Sequence, residues 1–129
     1  MTRPFRFICL LSAAVAVVFF LLAILGLWWF DWNNHKKPTF IDKAVSPDGR
    51  YTLQLEQIGA PAFFDSADAR ISLYAAGSTV PIEILHISVS NDGAGLFREN
   101  WQVSWDTDRV TILVKGWEEP EKCYEMPLG

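Results

Sequence analysis

Hydrophobic and polar positions divide this chain into two unlike parts. From Phe7 to Phe30 there is no charged residue, and the apolar positions surround the helix axis instead of forming a stripe. At about 1.5 Å rise per residue, these 24 positions make a helix of roughly 36 Å, enough to cross a hydrocarbon core of about 30 Å. After Pro38 the period changes. Tyr51, Leu53 and Leu55 alternate with Thr52, Gln54 and Glu56, and Trp101, Val103 and Trp105 alternate with Gln102 and Ser104. That period of two predicts half-buried strands. Further strands are expected at 70–75, 82–90, 109–115 and 122–126, with Asp106-Thr107-Asp108 as a hairpin loop and Ser46-Pro47-Asp48-Gly49 as a tight turn. The fold class that follows is one N-terminal transmembrane α-helix and then a small, mostly antiparallel β domain, a sandwich or open barrel of five to six strands. Leu53, Ile71, Ile87, Trp101, Val103, Trp105 and Ile112 are its expected core.

The apolar run reads as an anchor and not as a cleaved signal. A signal peptide has an apolar stretch of about 7–15 residues and small residues before the cut. Here the stretch is longer and ends in Gly26-Leu27-Trp28-Trp29-Phe30, whose indoles fit a peptidase pocket badly. Cys9 stands too early for a lipoprotein cleavage site. The chain is therefore expected to keep its helix and to begin at or near Met1. Trp28, Trp29, Phe30 and Trp32 form an aromatic belt at headgroup depth, because indole has a broad apolar body and one N–H donor. The division expected is a cytoplasmic leader at 1–6, the span at 7–30, an interfacial segment and linker at 31–43, and an exposed β domain at 44–129. Arg3 and Arg6 stand against Lys36 and Lys37 across the bilayer. The basic leader ahead of a long apolar run favours the N-terminus in the cytoplasm and the C-terminal domain outside it.

Charge follows the same division. Seven Lys/Arg and fourteen Asp/Glu lie from Pro38 onward, a balance of −7 within a whole-chain charge of −4. An acidic domain argues against a nucleic-acid partner, which needs Lys and Arg against phosphate. It suits a basic protein partner. The expected partners are thus the lipid bilayer and a basic protein, with oligomeric state left open. The two cysteines, Cys9 and Cys123, stand in different parts of the chain, so no internal disulfide is expected and Cys123 reads as a buried or inert thiol. No Cys-x-x-Cys occurs, and no cofactor or metal site is expected.

A one-pass anchor, the opening VSPDGRYTLQL and the later NWQVSWDTDRVTI resemble a family of small bacterial membrane-tethered proteins of unknown function. The resemblance implies a bacterial inner or cytoplasmic membrane protein and brings no catalytic residues with it. Ser46-Pro47-Asp48-Gly49-Arg50-Tyr51 also resembles a repeat signature of periplasmic β-propellers. It occurs once, and a propeller needs several blades.

Catalytic chemistry finds little support. His35 lies in the linker and reads as solvated. His86 shares a polar strand face with Ser88 and Ser90, but residues two apart on a strand point the same way without facing each other. Asp65 with Asp68, and Asp106 with Asp108, could take a divalent cation, although Asp more often caps turns through its own backbone. Phe63 and Phe64 stand in a Gly/Pro-bounded loop beside Asp65 and Asp68. These four residues are the candidate partner-binding group: the aromatics either plug the sheet end or serve as anchors for a protein. The function expected is a membrane-anchored, non-catalytic binding module of the immunity or accessory kind. A structural or assembly component is the alternative, and an enzyme is the least favoured reading.

Overall fold

A computed structural model of the chain describes residues 3–61 and 65–129. The apolar run forms α1 (Arg3–Asp31), continued by one π-helical turn, Trp32–Lys36. No residue of α1 is buried by the rest of the protein. One helix, running to Lys36, is thus long and apolar enough to cross a membrane. Seven strands follow: β1 (Pro38–Val45), β2 (Tyr51–Ile58), β3 (Ala67–Ala75), β4 (Glu83–Val89), β5 (Trp101–Trp105), β6 (Arg109–Val114) and β7 (Lys122–Pro127). They form two antiparallel meanders, β1-β2-β3-β4 and β5-β6-β7.

The inward positions of both sheets join in a single core. Leu53 and Leu55 from β2, Ile71 and Leu73 from β3, Ile87 and Val89 from β4, and Val110, Ile112 and Val114 from β6 belong to it, closed by Trp101 and Met126. Two sheets sharing one apolar filling make a sandwich. Of the expected core, Leu53, Ile71, Ile87, Trp101 and Ile112 are buried, while Val103 and Trp105 pack against the core half-buried.

Two expectations need correction. Among the described residues there are seven strands, because Pro38–Val45, placed largely in the interfacial linker, is an edge strand hydrogen-bonded to β2. The register shifts between Phe40 and Asp42, so that Phe40 opposes Glu56, Asp42 opposes Leu55 and Ile41 is the extra residue of a bulge. A bulge breaks the period of two, which is why the alternation hides this strand. Cys123, read as a buried or inert thiol, is not buried: it is exposed on β7, and both cysteines are free.

The turns behave as their residues dictate. Gly49 sits at φ +73°, and its N–H donates to the Ser46 carbonyl at 2.9 Å. The Asp106 N–H donates to the Arg109 carbonyl at 2.8 Å, closing the β5–β6 hairpin.

Candidate functional site

The helix does not lead into a free tether. At the change from α to π winding, the Asn33 and Asn34 side-chain amides donate to the Trp29 and Phe30 carbonyls at 3.0 and 2.8 Å. Asp31 holds His35 Nδ1 and Lys36 Nζ, each at 3.2 Å. Beyond β2, the Ala60 N–H donates to the Asn34 carbonyl at 2.7 Å and the Gly59 N–H donates to the Lys37 carbonyl at 2.9 Å. Gly59 has φ +70°, and a Cβ there would overlap the Asn34 carbonyl oxygen and lie 2.6 Å from His35 Cα. The end of the helix is therefore bonded, backbone to backbone, to the β2–β3 connection. Trp28, Trp29, Phe30 and Trp32 are all exposed around this end.

The strand directions sort the loops. The β2–β3, β4–β5 and β6–β7 connections lie at the helix end of the sandwich, and the β1–β2, β3–β4 and β5–β6 turns lie at the far end. Phe63 and Phe64 fall in the β2–β3 connection but outside the described residues. Asp65 and Asp68 are exposed. Asp68 sits in β3, where its Oδ1 accepts from Ser88 Oγ at 3.1 Å.

The helix-end loops also present a feature that the sequence pattern misses. Phe97 and Trp117 stack with ring centroids 5.6 Å apart and planes 13° from parallel, and they remain 44% and 64% exposed. Beneath them, buried Asn91 and Asn100 exchange side-chain amide hydrogen bonds of 2.8 and 3.0 Å. Asn100 Oδ1 also accepts from the Phe97 N–H at 2.8 Å, and Asn91 Oδ1 accepts from the Trp117 N–H at 3.2 Å. Asn100 Nδ2 reaches the Lys115 carbonyl and Asn91 Nδ2 the Gly95 carbonyl, both at 3.0 Å. Buried amides with their valences filled fix a loop firmly, so the aromatic pair is preorganised. The signal that could have found it is the one used for Phe63-Phe64: Gly116-Trp117-Glu118-Glu119-Pro120 places a bulky ring in a Gly/Pro-bounded loop.

At the far end a second apolar patch lies along the free edge of the larger sheet. Val80, Ile82 and Ile84 are 71%, 54% and 44% exposed, and among the described residues β4 pairs with β3 alone. The β1–β2 turn at the same end holds a hydrogen-bonded carboxylate. Ser46 Oγ lies 2.6 Å from Asp48 Oδ1, which also accepts from the Arg50 N–H at 3.0 Å. The Ser46 hydrogen bond first, and the Arg50 N–H second, hold the Asp48 carboxyl below the ordinary aspartate range. An open cleft of about 410 Å³ beside this turn is lined by Tyr51, Trp105 and Leu128 among others.

No catalytic pairing is assembled from the sequence candidates. His86 and Ser88 are exposed on the outer face of β4, and Ser88 is bonded to Asp68. His86 opposes Arg70, whose Nη2 holds both carboxylate oxygens of Glu56 at 3.2 Å. Asp106 accepts from the Thr107 N–H at 2.7 Å, and Asp108 lies 3.7 Å from Arg109 Nε. Among the described residues, no group of three or more His, Cys, Asp or Glu is placed to hold a metal ion. No protein-family model, curated protein or solved structure matches this chain.

Proposed function

We propose that the protein is a membrane-anchored, non-catalytic interaction module whose β domain lies outside the cytoplasm and engages a protein partner along the free edge of β4. Retention of the helix is supported by its junction. α1 runs without a break into the Trp32–Lys36 turn, whose Asn34 carbonyl takes the Ala60 N–H and against which Gly59 packs, so helix and β domain join as one continuous structure. The observation that carries the interaction reading is the exposed edge itself. Natural proteins blunt open edges with charge or proline, since an unpaired strand with apolar side chains invites another strand. Here Pro81 and Glu83 blunt only the start of the edge, and Ile82 and Ile84 on either side of Glu83 stay exposed. Strand addition would use the backbone groups of β4 for affinity and the isoleucines for specificity. The acidic excess of the domain favours a basic partner and speeds encounter with it. An immunity or accessory role fits such a module.

The test places a photo-crosslinking residue at Ile84 in the full chain in its native membranes. One defined adduct is expected, lost in Ile82→Lys and kept when the span is exchanged for an unrelated apolar helix. No adduct, or one indifferent to Ile82→Lys, contradicts the edge as the docking site. An adduct lost on span exchange supports an assembly component instead.

A further inference from the structure

The stacked pair Phe97 and Trp117 is too exposed to serve the core and too firmly held to be incidental. Its position can be traced bond by bond from the helix. The Lys37 carbonyl takes the Gly59 N–H at 2.9 Å, Gln57 Nε2 donates to the Gly59 carbonyl at 2.9 Å, and Gln57 Oε1 accepts the Leu96 N–H at 2.8 Å. The next residue is Phe97. From there Asn100 and Asn91 lead to Trp117. The pair therefore belongs to the end of the sandwich from which the apolar helix departs, and only Lys37 separates the helical turn from β1. This connection leaves little freedom for the domain to stand away from the surface in which the helix is embedded.

We infer that Phe97 and Trp117 are a second membrane contact, seated in the headgroup layer beside the aromatic belt of α1, so that the domain rests on the bilayer with a fixed tilt. This rests on the reading of α1 as a retained span. The chemistry of the pair suits that depth. Indole and phenyl rings offer a wide apolar face, and the indole N–H finds acceptors among lipid esters and water. The flanking charges, Arg98 and Lys115 against Glu99 and Glu118, together with Glu119 and its partner Lys122 at 3.4 Å, sum to zero. The contact should therefore form on uncharged headgroups and need no anionic lipid. A protein partner would have to reach the pair at the side where the bilayer lies. The β4 edge at the opposite end stays free with the domain in this position.

Full-length chains reconstituted into phosphatidylcholine vesicles, with or without bromine near the glycerol end of the acyl chains, test the contact through quenching of indole fluorescence. One variant carries Trp28, Trp29 and Trp32→Phe and keeps Trp117; a second keeps the belt and carries Trp117→Phe; a third combines all four changes. Trp101 and Trp105 remain in each as a common background. Emission of the second variant is expected to fall in brominated vesicles, reporting the span. The first variant should also lose emission, and the third should lose none. A quenched second variant with an unquenched first overturns the contact while leaving the anchor intact. Quenching that persists in the third assigns the signal elsewhere and overturns it as well. If none of the three is quenched, the contact and the anchor fall together.

Discussion

Trp101 ties the two sheets through one polar contact inside an apolar setting. Its ring is buried in the core, and its Nε1–H donates to Asp42 Oδ2 at 2.9 Å. Asp42 reaches that position only because the bulge at Ile41 turns it to the face shared with Leu55. Removing Asp42 leaves the buried indole N–H with its valence unfilled, and removing Trp101 leaves a half-buried carboxylate without its donor, at a cost of about 1–3 kcal/mol. Trp101→Phe and Asp42→Leu should each destabilise the detergent-solubilised chain by about that amount in urea unfolding. The double variant should lose less than the sum of the two, because the second change removes a group already orphaned. Strict additivity would mean that the hydrogen bond contributes nothing to stability. Trp101 was legible from alternation, since it shares a face with Val103 and Trp105. Its carboxylate partner was not, because an acidic residue 59 positions away in an irregular strand carries no local sign of facing inward.

Among the elements, the helix–strand junction is the most constrained, and Gly59 is its tightest point. A side chain there would need both a positive φ and space occupied by the Asn34 carbonyl. Gly59→Ala should therefore part the helix end from β2 while sparing the core, which lies on the inward faces of the strands. Amide hydrogen exchange is the measurement. Faster exchange at the substituted position and at Ala60, in a variant otherwise protected like the parent, is the expected outcome; unchanged protection there would show the junction to be loose already. Regular elements such as β2, β5 and β6 could be read from sequence, because one buried face imposes a period of two. The bulged edge strand β1 escaped that rule. The Phe97–Trp117 pair escaped it too, since what positions the rings is an amide pair between two loops, and contacts of that kind leave no periodic trace. Phe63 and Phe64 are adjacent in the chain and so visible as a pair in the sequence, while Phe97 and Trp117 meet only after folding.

For the whole molecule, charge and hydropathy separate along a single axis. An apolar helix is exposed over its entire length, and an acidic sandwich is bonded directly to its end. Water cannot accommodate that much exposed apolar helix, whereas a bilayer can, because the helix satisfies its own backbone groups. The sandwich then presents two ends of different character, aromatic at the helix side and aliphatic at the β4 edge. Whether the helix stays in the functioning protein, as proposed, is decided by the intact mass of the chain recovered from alkali-washed membranes. The expected result is membrane-bound protein whose mass still includes the Arg3–Asp31 helix and the Trp32–Lys36 turn. Recovery of a soluble chain lacking about thirty N-terminal residues, the length of a cleaved signal peptide, would contradict it.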